Sequence, residues 1–158
     1  MKADALLKQQ ATGERYFFGA NLSETNLNDV DLSRADLTKA NLMGAQLRGA
    51  KLNGSELKGA NLVNADLSYA SLSDSNLEGV NLSGATLRGA DLSRANLKGA
   101  NLKNADLRQA DLTDSNLSEA ELAGTKIKGA IGLDANGTKI RRNSSKTIRS
   151  FVMPAPAT

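Results

Sequence analysis

The sequence contains no cysteine, histidine or tryptophan, and only 3% of its 158 residues are aromatic. Without cysteine the chain forms neither disulfides nor thiolate metal sites, and it has no thiol nucleophile. Without histidine it lacks the commonest general base near neutral pH and the commonest metal ligand. These absences argue against a catalytic site, and we expect no enzyme activity, no cofactor and no metal.

Long apolar runs are also missing. No stretch approaches the roughly 20 apolar residues that a membrane span needs. The first residues, MKADALLK, are too short and too interrupted for a secretory signal. We therefore expect a cytoplasmic protein that does not associate with a membrane.

Acidic residues are absent from the last part of the chain, which makes the charge uneven. The formal net charge is +3, yet residues 1–134 contain 15 cations and 17 carboxylates. The remaining five cations form a candidate basic tail: Lys139, Arg141, Arg142, Lys146 and Arg149. This tail has no interleaved aromatic residues on which bases could stack, so nucleic-acid binding is the weaker interpretation and a solvated or capping tail the stronger one. The sequence leaves open whether the tail is phosphorylated.

The dominant feature of the sequence is an internal repeat of five residues. Leucine occupies every fifth position from Leu22 to Leu122, and Ile127 continues the series, which gives 22 repeats without a frame slip. Two positions earlier the residue is alanine in 15 of the 22 repeats, and the position between them is Asn or Asp in 15. This period fits neither a helix nor a simple strand alternation.

A short extended segment followed by a corner explains the period. In an extended segment the leucine and the small residue two positions before it point the same way, so both face inward. The chain must then turn, and glycine at the second position after leucine suits the third residue of a type II turn, where φ is positive. Arg34, Lys39 and Glu119 at that position predict a different corner geometry in their repeats.

The pattern Ala-(Asp/Asn)-Leu-x-x resembles the pentapeptide-repeat family over residues 16–130. The resemblance implies an all-β solenoid, a right-handed quadrilateral β-helix with four repeats per coil and about five to six coils. A 20-residue coil would stack Asn21, Asn41, Asn61, Asn81 and Asn101 in one column. We divide the chain into an N-terminal cap with a short helix (1–15), the β-helix (16–130) and a C-terminal cap with the basic tail (131–158).

Both ends of such a solenoid need covers, because each would otherwise expose its core. Residues 2–11 predict a short amphipathic helix that Thr12 and Gly13 end. We interpret Tyr16, Phe17 and Phe18 as a hydrophobic lid on the first coil.

The 20-residue register assigns the outward residues to faces. One face carries a candidate partner-binding basic stripe: Arg48, Arg88, Arg108 and Lys128. Asp29, Asp66 and Asp106 on the same face would partly neutralise it. The adjoining face, with Met43, Val63, Ser83 and Ala123, has few charges and is a second candidate surface. Outward Ser68 is predicted to tolerate substitution.

The predicted function is a non-catalytic structural or protein-interaction module of unknown biological role. Some members of the family resemble duplex DNA and bind type II topoisomerases, and DNA mimicry is the alternative. It requires a strongly acidic column, whereas here Lys51, Arg34 and Arg94 interrupt the most acidic face, which carries Asp31, Asp91, Asp111, Asp74 and Asp114. A third possibility is weak binding of a nucleic acid or an acidic partner through the basic tail. We expect a protein partner and a monomer, with an end-to-end dimer as the alternative.

Overall fold

The computed structural model describes residues 3–133. One helix, α1 (Ala3–Ala11), is followed by a regular succession of turns and single-residue parallel bridges. No strand in residues 3–133 is longer than one bridged residue. The predicted basic tail, from Lys139 to Arg149, and nearly all of the predicted C-terminal cap lie outside this range.

Every bridge joins residues that are 20 positions apart, from Tyr16 with Asp36 to Asp111 with Ile131. Because the repeat has five residues, each coil has four sides, and equivalent sides lie directly above one another. The structure therefore confirms the predicted 20-residue register, including the column from Asn21 to Asn101.

The interior is built from the leucines and the small residues of the repeat. Every leucine from Leu22 to Leu122 is buried, and so is Phe17 at the equivalent position of the first side. Inward serines are accommodated because their hydroxyls donate to a main-chain carbonyl three residues earlier. The three such bonds are Ser55 to Leu52 (2.7 Å), Ser75 to Leu72 (2.6 Å) and Ser115 to Leu112 (2.8 Å).

The preference for Asn or Asp before leucine follows from the main-chain hydrogen bonds. In residues 41–45 the N–H groups of Asn41, Leu42 and Gly44 donate to carbonyls of neighbouring coils at 2.7–2.9 Å. The N–H of Ala45 closes the turn onto the Leu42 carbonyl at 3.0 Å. The remaining N–H, that of Met43, donates to Oδ1 of Asn41 at 3.2 Å. The short polar side chain thus satisfies the one amide that neither the coils nor the turn use.

The prediction of a different corner geometry at some repeats is wrong. Arg34, Lys39 and Glu119 have φ values of 59°, 57° and 60°, close to the 66° of Gly44. The coil imposes the left-handed conformation on whatever residue stands at the corner, although only glycine adopts it without a steric penalty. At Arg34 and Lys39 the corner N–H donates to a carbonyl of the next coil, at 2.9 and 3.0 Å, and these hydrogen bonds help to offset that penalty.

Glycine has a second role at several corners, which is to leave room for a side chain of the preceding coil. Glu24 lies over Gly44, Tyr69 over Gly89 and Asn104 over Gly124. A methyl group added at Gly89 would lie 2.5 Å from Cε1 of Tyr69. Along these columns of corner residues, a residue with a side chain and a glycine therefore alternate from one coil to the next.

Helix α1 covers the N-terminal end of the core. The N–H of Gly13 (φ 89°) donates to the Gln10 carbonyl, and that of Glu14 to the Gln9 carbonyl, which is the Schellman pattern of helix termination. Leu6 is fully buried in the same cluster as Phe17. The position of α1 thus places one leucine where a further coil would otherwise pack.

The prediction of a three-residue aromatic lid is wrong in part. Phe17 is buried, but Tyr16 is 79% exposed and Phe18 is 62% exposed. Phe17 takes the inward position of the repeat, and its two neighbours in an extended segment must then point outward.

Each face of the coil comprises, in every repeat, the residue before the inward one, the residue after it and the corner. We name the faces by the columns that precede the inward residue. The asparagine face has Asn21, Asn41, Asn61, Asn81, Asn101 and Glu121. The basic face has Asn26, Gln46, Asp66, Thr86, Asp106 and Lys126. The acidic face has Asp31, Lys51, Ser71, Asp91, Asp111 and Ile131. The mixed face has Tyr16, Asp36, Glu56, Asn76, Asn96 and Asn116.

Candidate interaction surface

The four residues of the predicted basic stripe lie in one column of the basic face. They follow the inward leucine of coils stacked in register, and Lys126 adds a further exposed cation at the C-terminal end of that face. The column is interrupted at one coil, where its position is occupied by Ser68. Neighbouring strand positions are about 4.8 Å apart, so the stripe from Arg48 to Lys128 extends over roughly 19 Å.

The cations of this column are not equivalent. Arg108 forms a two-pronged contact with Asp106, with Nη2–Oδ2 and Nε–Oδ1 distances of 2.6 and 2.9 Å. This contact lowers the pKa of Asp106, chiefly through the hydrogen bonds from the Arg108 side chain. In residues 3–133, by contrast, no hydrogen bond or ion pair is formed by the side chains of Arg88, Lys126 and Lys128, all of which are exposed.

Arg48 is held by an aromatic ring rather than by an acid. Its guanidinium carbon lies 5.1 Å from the centroid of the Tyr69 ring, a cation–π distance. Tyr69 occupies a corner and is 53% exposed. Tyr69 is not among the residues predicted from the sequence to form an interaction surface, although it is the one aromatic residue among the 22 regular repeats.

Two of the three carboxylates of the basic face, Asp66 and Asp106, are partly buried, and Asp29 is exposed. Asp66 is partly buried and accepts hydrogen bonds from the N–H (3.0 Å) and hydroxyl (2.6 Å) of Ser68. Asp106 is paired with Arg108. Asp29 lies at a corner over Gly49. Only Asp106 therefore neutralises a cation of the stripe by direct contact.

Ser68 does not behave as the free outward residue that the sequence predicts. It is only 6% exposed and holds the Asp66 carboxylate. The residues before and after it in the column, Arg48 and Arg88, have longer side chains that extend further from the coil. Replacement of the serine would remove a hydrogen bond, and Ser68 is not a neutral control position.

On the acidic face, several carboxylates are already compensated. Asp74 and Arg94 form a two-pronged pair with both N–O distances at 2.9 Å, and the hydrogen bonds from Arg94 lower the pKa of Asp74. The pKa of Asp31 is lowered mainly by hydrogen bonds from Ser33, with a smaller contribution from the charge of Lys51.

The asparagine face is free of charge over its central coils. Between Asn41 and Asn101 its outward positions carry amides, glycines, Met43, Val63 and Ser83. Met43 is 40% exposed. One amide ladder contact occurs here, from Asn41 to Asn21 at 3.4 Å. A longer ladder lies on the mixed face, where Asn76 bonds Glu56 at 2.9 Å and the series continues through Asn96 and Asn116.

The described part of the chain has a shallow depression and no cluster of metal ligands. A shallow open depression beside the first coil is lined by Thr12, Gly13, Glu14, Arg15, Tyr16, Arg34 and Asp36. Among residues 3–133 no three acidic side chains are close enough together to hold a metal ion. Within the same range, no helix has the length and hydrophobicity that a membrane span requires.

Comparison with known proteins agrees with this architecture. A family model described as pentapeptide repeats, in eight copies, matches overlapping segments that together cover residues 16–131. No functionally curated protein matches the chain. The crystal structure of Rfr23, a pentapeptide repeat protein from the cyanobacterium Cyanothece 51142, is similar with 33% identity and a TM-score of 0.60. The match covers 81% of this chain and 97% of that one.

Two further solved structures show sequence similarity with weaker superposition. The pentapeptide repeat protein alr5209 from Nostoc Pcc 7120 is 35% identical, with coverage of 80% and 96% and a TM-score of 0.38. A pentapeptide repeat protein from the thylakoid lumen of Arabidopsis thaliana, AT2G44920, is 26% identical, with coverage of 81% and 87% and a TM-score of 0.38. With its five-residue period, 20-residue coil and matching family model, the chain belongs to the pentapeptide-repeat family and folds as a right-handed quadrilateral β-helix.

Proposed function

We propose that this protein is a non-catalytic cytoplasmic module that binds another protein through the outward side chains of its coils. The inward side chains and the main-chain amides are used by the fold itself, as the repeat 41–45 illustrates. Only the outward positions are left to distinguish this solenoid from any other of the same length. Binding along a face is the function that such a rod supports best.

The observation that carries the proposal is the difference between faces built on one repeating backbone. The basic face has exposed cations without acidic partners, the asparagine face has no charge over its central coils, and the acidic face has Asp74 paired with Arg94. The fold does not require these differences, because the inward residues of every face are a leucine and a small residue two positions earlier, apart from Phe17 and Ile127. Surfaces that differ in charge on an identical scaffold favour selective contact with a partner.

Catalysis has little support from the same residues. Asp and Asn recur before leucine because their Oδ1 atoms accept a main-chain N–H, as Asp91 does from Ser93 at 2.9 Å. A carboxylate in this position serves the fold, and its repetition needs no catalytic explanation. The shallow depression near Tyr16 has no adjacent nucleophile and base at hydrogen-bonding distance among its lining residues.

The experiment compares variants that each change one face. Wild-type protein and four variants would be immobilised and exposed to an extract of the native host. The variants are Met43→Lys/Val63→Lys, Arg48→Glu/Arg88→Glu, Asp91→Asn/Asp111→Asn and Lys58→Glu/Lys98→Glu. Circular dichroism and melting temperature would show that each remains folded. We expect wild type to retain one host protein. We expect one of the four variants to lose that protein and the other three to keep it. Equal retention by all five proteins, or equal loss from all four variants, would contradict the proposal.

DNA mimicry of a type II topoisomerase substrate is less well supported. Duplex DNA carries one charge per ~1.7 Å of axis. On the acidic face, Arg94 pairs with Asp74, and Lys51 and Arg34 interrupt the acidic residues near Asp31. We expect micromolar protein neither to inhibit gyrase supercoiling nor to protect the enzyme from a quinolone, and either effect would restore this alternative. Binding through the basic tail remains a prediction, to be tested by deleting residues 139–158.

A further inference from the structure

Three residues of the basic face converge from consecutive coils. Arg48 belongs to one coil, Tyr69 to the next and Arg88 to the one after it, as the 20-residue register requires. Positions 48 and 88 are separated by two coil spacings, about 9.6 Å. The guanidinium of Arg48 does not extend straight outward, because it lies over the Tyr69 ring at 5.1 Å. It therefore leans toward the coil that separates it from Arg88.

The residue that lies between the two arginines in the column has a short side chain. Ser68 occupies the intervening position of the column and is 6% exposed, with its hydroxyl donated to Asp66 at 2.6 Å. A long residue at position 68 would fill the space between the guanidinium groups. The serine side chain is short and turned toward Asp66, so no long side chain stands between the two arginines in the column. We call the space between the two arginine side chains, beside the Tyr69 ring, the notch.

The wall of the notch is held in place by the neighbouring corner. The Tyr69 ring lies against Gly89, where even a methyl group would come within 2.5 Å of Cε1. Tyr69 is thus placed by Gly89 on one side and by Arg48 on the other. A stacked guanidinium keeps the N–H groups at its edge free to donate, because stacking uses only the face of the plane.

Both arginines retain donors for an external anion. Neither Arg48 nor Arg88 forms a hydrogen bond or ion pair through its side chain with any residue in 3–133. A carboxylate that accepts from two guanidinium groups at N–O distances of about 2.8 Å holds their carbon atoms roughly 8 Å apart. The main-chain positions of the two arginines are about 9.6 Å apart, and both side chains are long enough to bring their guanidinium groups to this separation.

We propose that Arg48, Tyr69 and Arg88 form an anchor for a carboxylate of an acidic protein segment. Lys128 lies two coil spacings beyond Arg88, about 9.6 Å further along the same column, and would receive a second carboxylate. A protein segment fits better than a nucleic acid, because the notch offers one aromatic ring and single-stranded nucleic acids are held by successive stacking platforms. The inference rests on the proposed function and identifies the chemistry of the partner.

The test uses a fluorescein-labelled poly-glutamate peptide of about a dozen residues and measures anisotropy at low salt. Wild type would be compared with Arg48→Glu/Arg88→Glu and with Lys51→Glu/Lys98→Glu, which makes the same change in net charge on the acidic and mixed faces. We expect the anchor variant to bind at least about tenfold more weakly and the control to change by less than about twofold. Tyr69→Ala should weaken binding by about threefold, since Arg48 loses its support. Equal losses in both double variants, or no binding by wild type, would overturn the anchor.

An NMR titration with the same peptide separates failure of the anchor from failure of the proposed function. We expect amide shifts to concentrate at residues 48, 68, 69 and 88. Shifts concentrated on another face would overturn the anchor while leaving an interaction module intact. If Arg48→Glu/Arg88→Glu still retained the host partner, the anchor would likewise be overturned and the interaction module left intact. If no host protein were lost from any single variant, the proposed function itself would be contradicted.

Discussion

The inward and outward halves of each repeat differ in how much variation they contain. Inward, 21 leucines and one isoleucine continue the series that Phe17 begins, and alanine fills most of the second inward position. Outward, the same positions carry Arg88 on one face and Ser83 on the next. The comparison teaches that the inward half specifies the coil and the outward half specifies the contact. It also shows that outward does not always mean free, because corner residues and Ser68 are held by neighbours.

The largest expected effect tests the assignment of inside and outside. Ala65→Leu should destabilise the fold by about 1–3 kcal/mol, because the coil interior has no space for three further carbon atoms. Ala123→Leu adds the same atoms at an exposed position of the asparagine face and should be close to neutral. Chemical denaturation of both variants measures the difference. Similar unfolding free energies would mean that the two halves of the repeat are not distinct.

A smaller effect is expected at the corners. Gly79→Ala places a methyl group in open space at φ 63° and should cost about 1 kcal/mol from backbone strain alone. Gly89→Ala has a similar φ of 68° but also displaces Tyr69, so it should cost about 0.5–1 kcal/mol more.

The background variant Tyr69→Ala provides the control for this pair. In that background the two glycine substitutions should cost the same, as measured by a double-mutant cycle. If the difference persists without the tyrosine ring, the outward side chain is not what makes Gly89 special.

The smallest expected effect is on the pH dependence of stability. The pKa of Asp106 is lowered in the folded state by hydrogen bonds from Arg108. The stabilisation that this carboxylate adds to the fold is therefore fully present above its pKa in the unfolded chain, about 3.9. It is lost as the pH falls from that value through the lower pKa of the folded state. Asp106→Asn keeps an acceptor at this position and should flatten the decline in melting temperature below about pH 4.

Lys98→Gln is the matched control, since it removes one exposed charge that forms no ion pair within residues 3–133. If the melting temperature of Asp106→Asn fell with pH as steeply as that of wild type, the Asp106–Arg108 contact would not contribute to the pH dependence of stability.

Much of this architecture could be read from the repeat. The sequence predicts the inward positions and the turn after each pair, because both depend on the local period. The column of Asn21 to Asn101 was predicted from the four repeats per coil that the family resemblance implies. The order of the faces follows from the same register. That is why Arg48, Arg88, Arg108 and Lys128 could be grouped before any coordinates were considered.

The sequence was a poor guide wherever contacts between coils decide the outcome. Arg34, Lys39 and Glu119 all adopt the corner conformation of glycine. At Arg34 and Lys39 the corner N–H donates to a carbonyl of the next coil, which holds the main chain there. Tyr16 and Phe18 look like lid residues by composition, yet the inward position of Phe17 turns both of them outward.

The sequence by itself determined the period and the inward residues. The sign of charge on each face followed once the resemblance to the family supplied four repeats per coil. The tertiary structure decided which charges are available, since Arg108 is engaged by Asp106 while Arg88 is not. It also placed Tyr69 between Arg48 and Gly89, residues that are 41 positions apart in the chain. The physical reason is that the period is a property of five consecutive residues, whereas side-chain pairing depends on neighbours 20 residues away, whose rotamers and hydrogen bonds are fixed only once the coils are stacked.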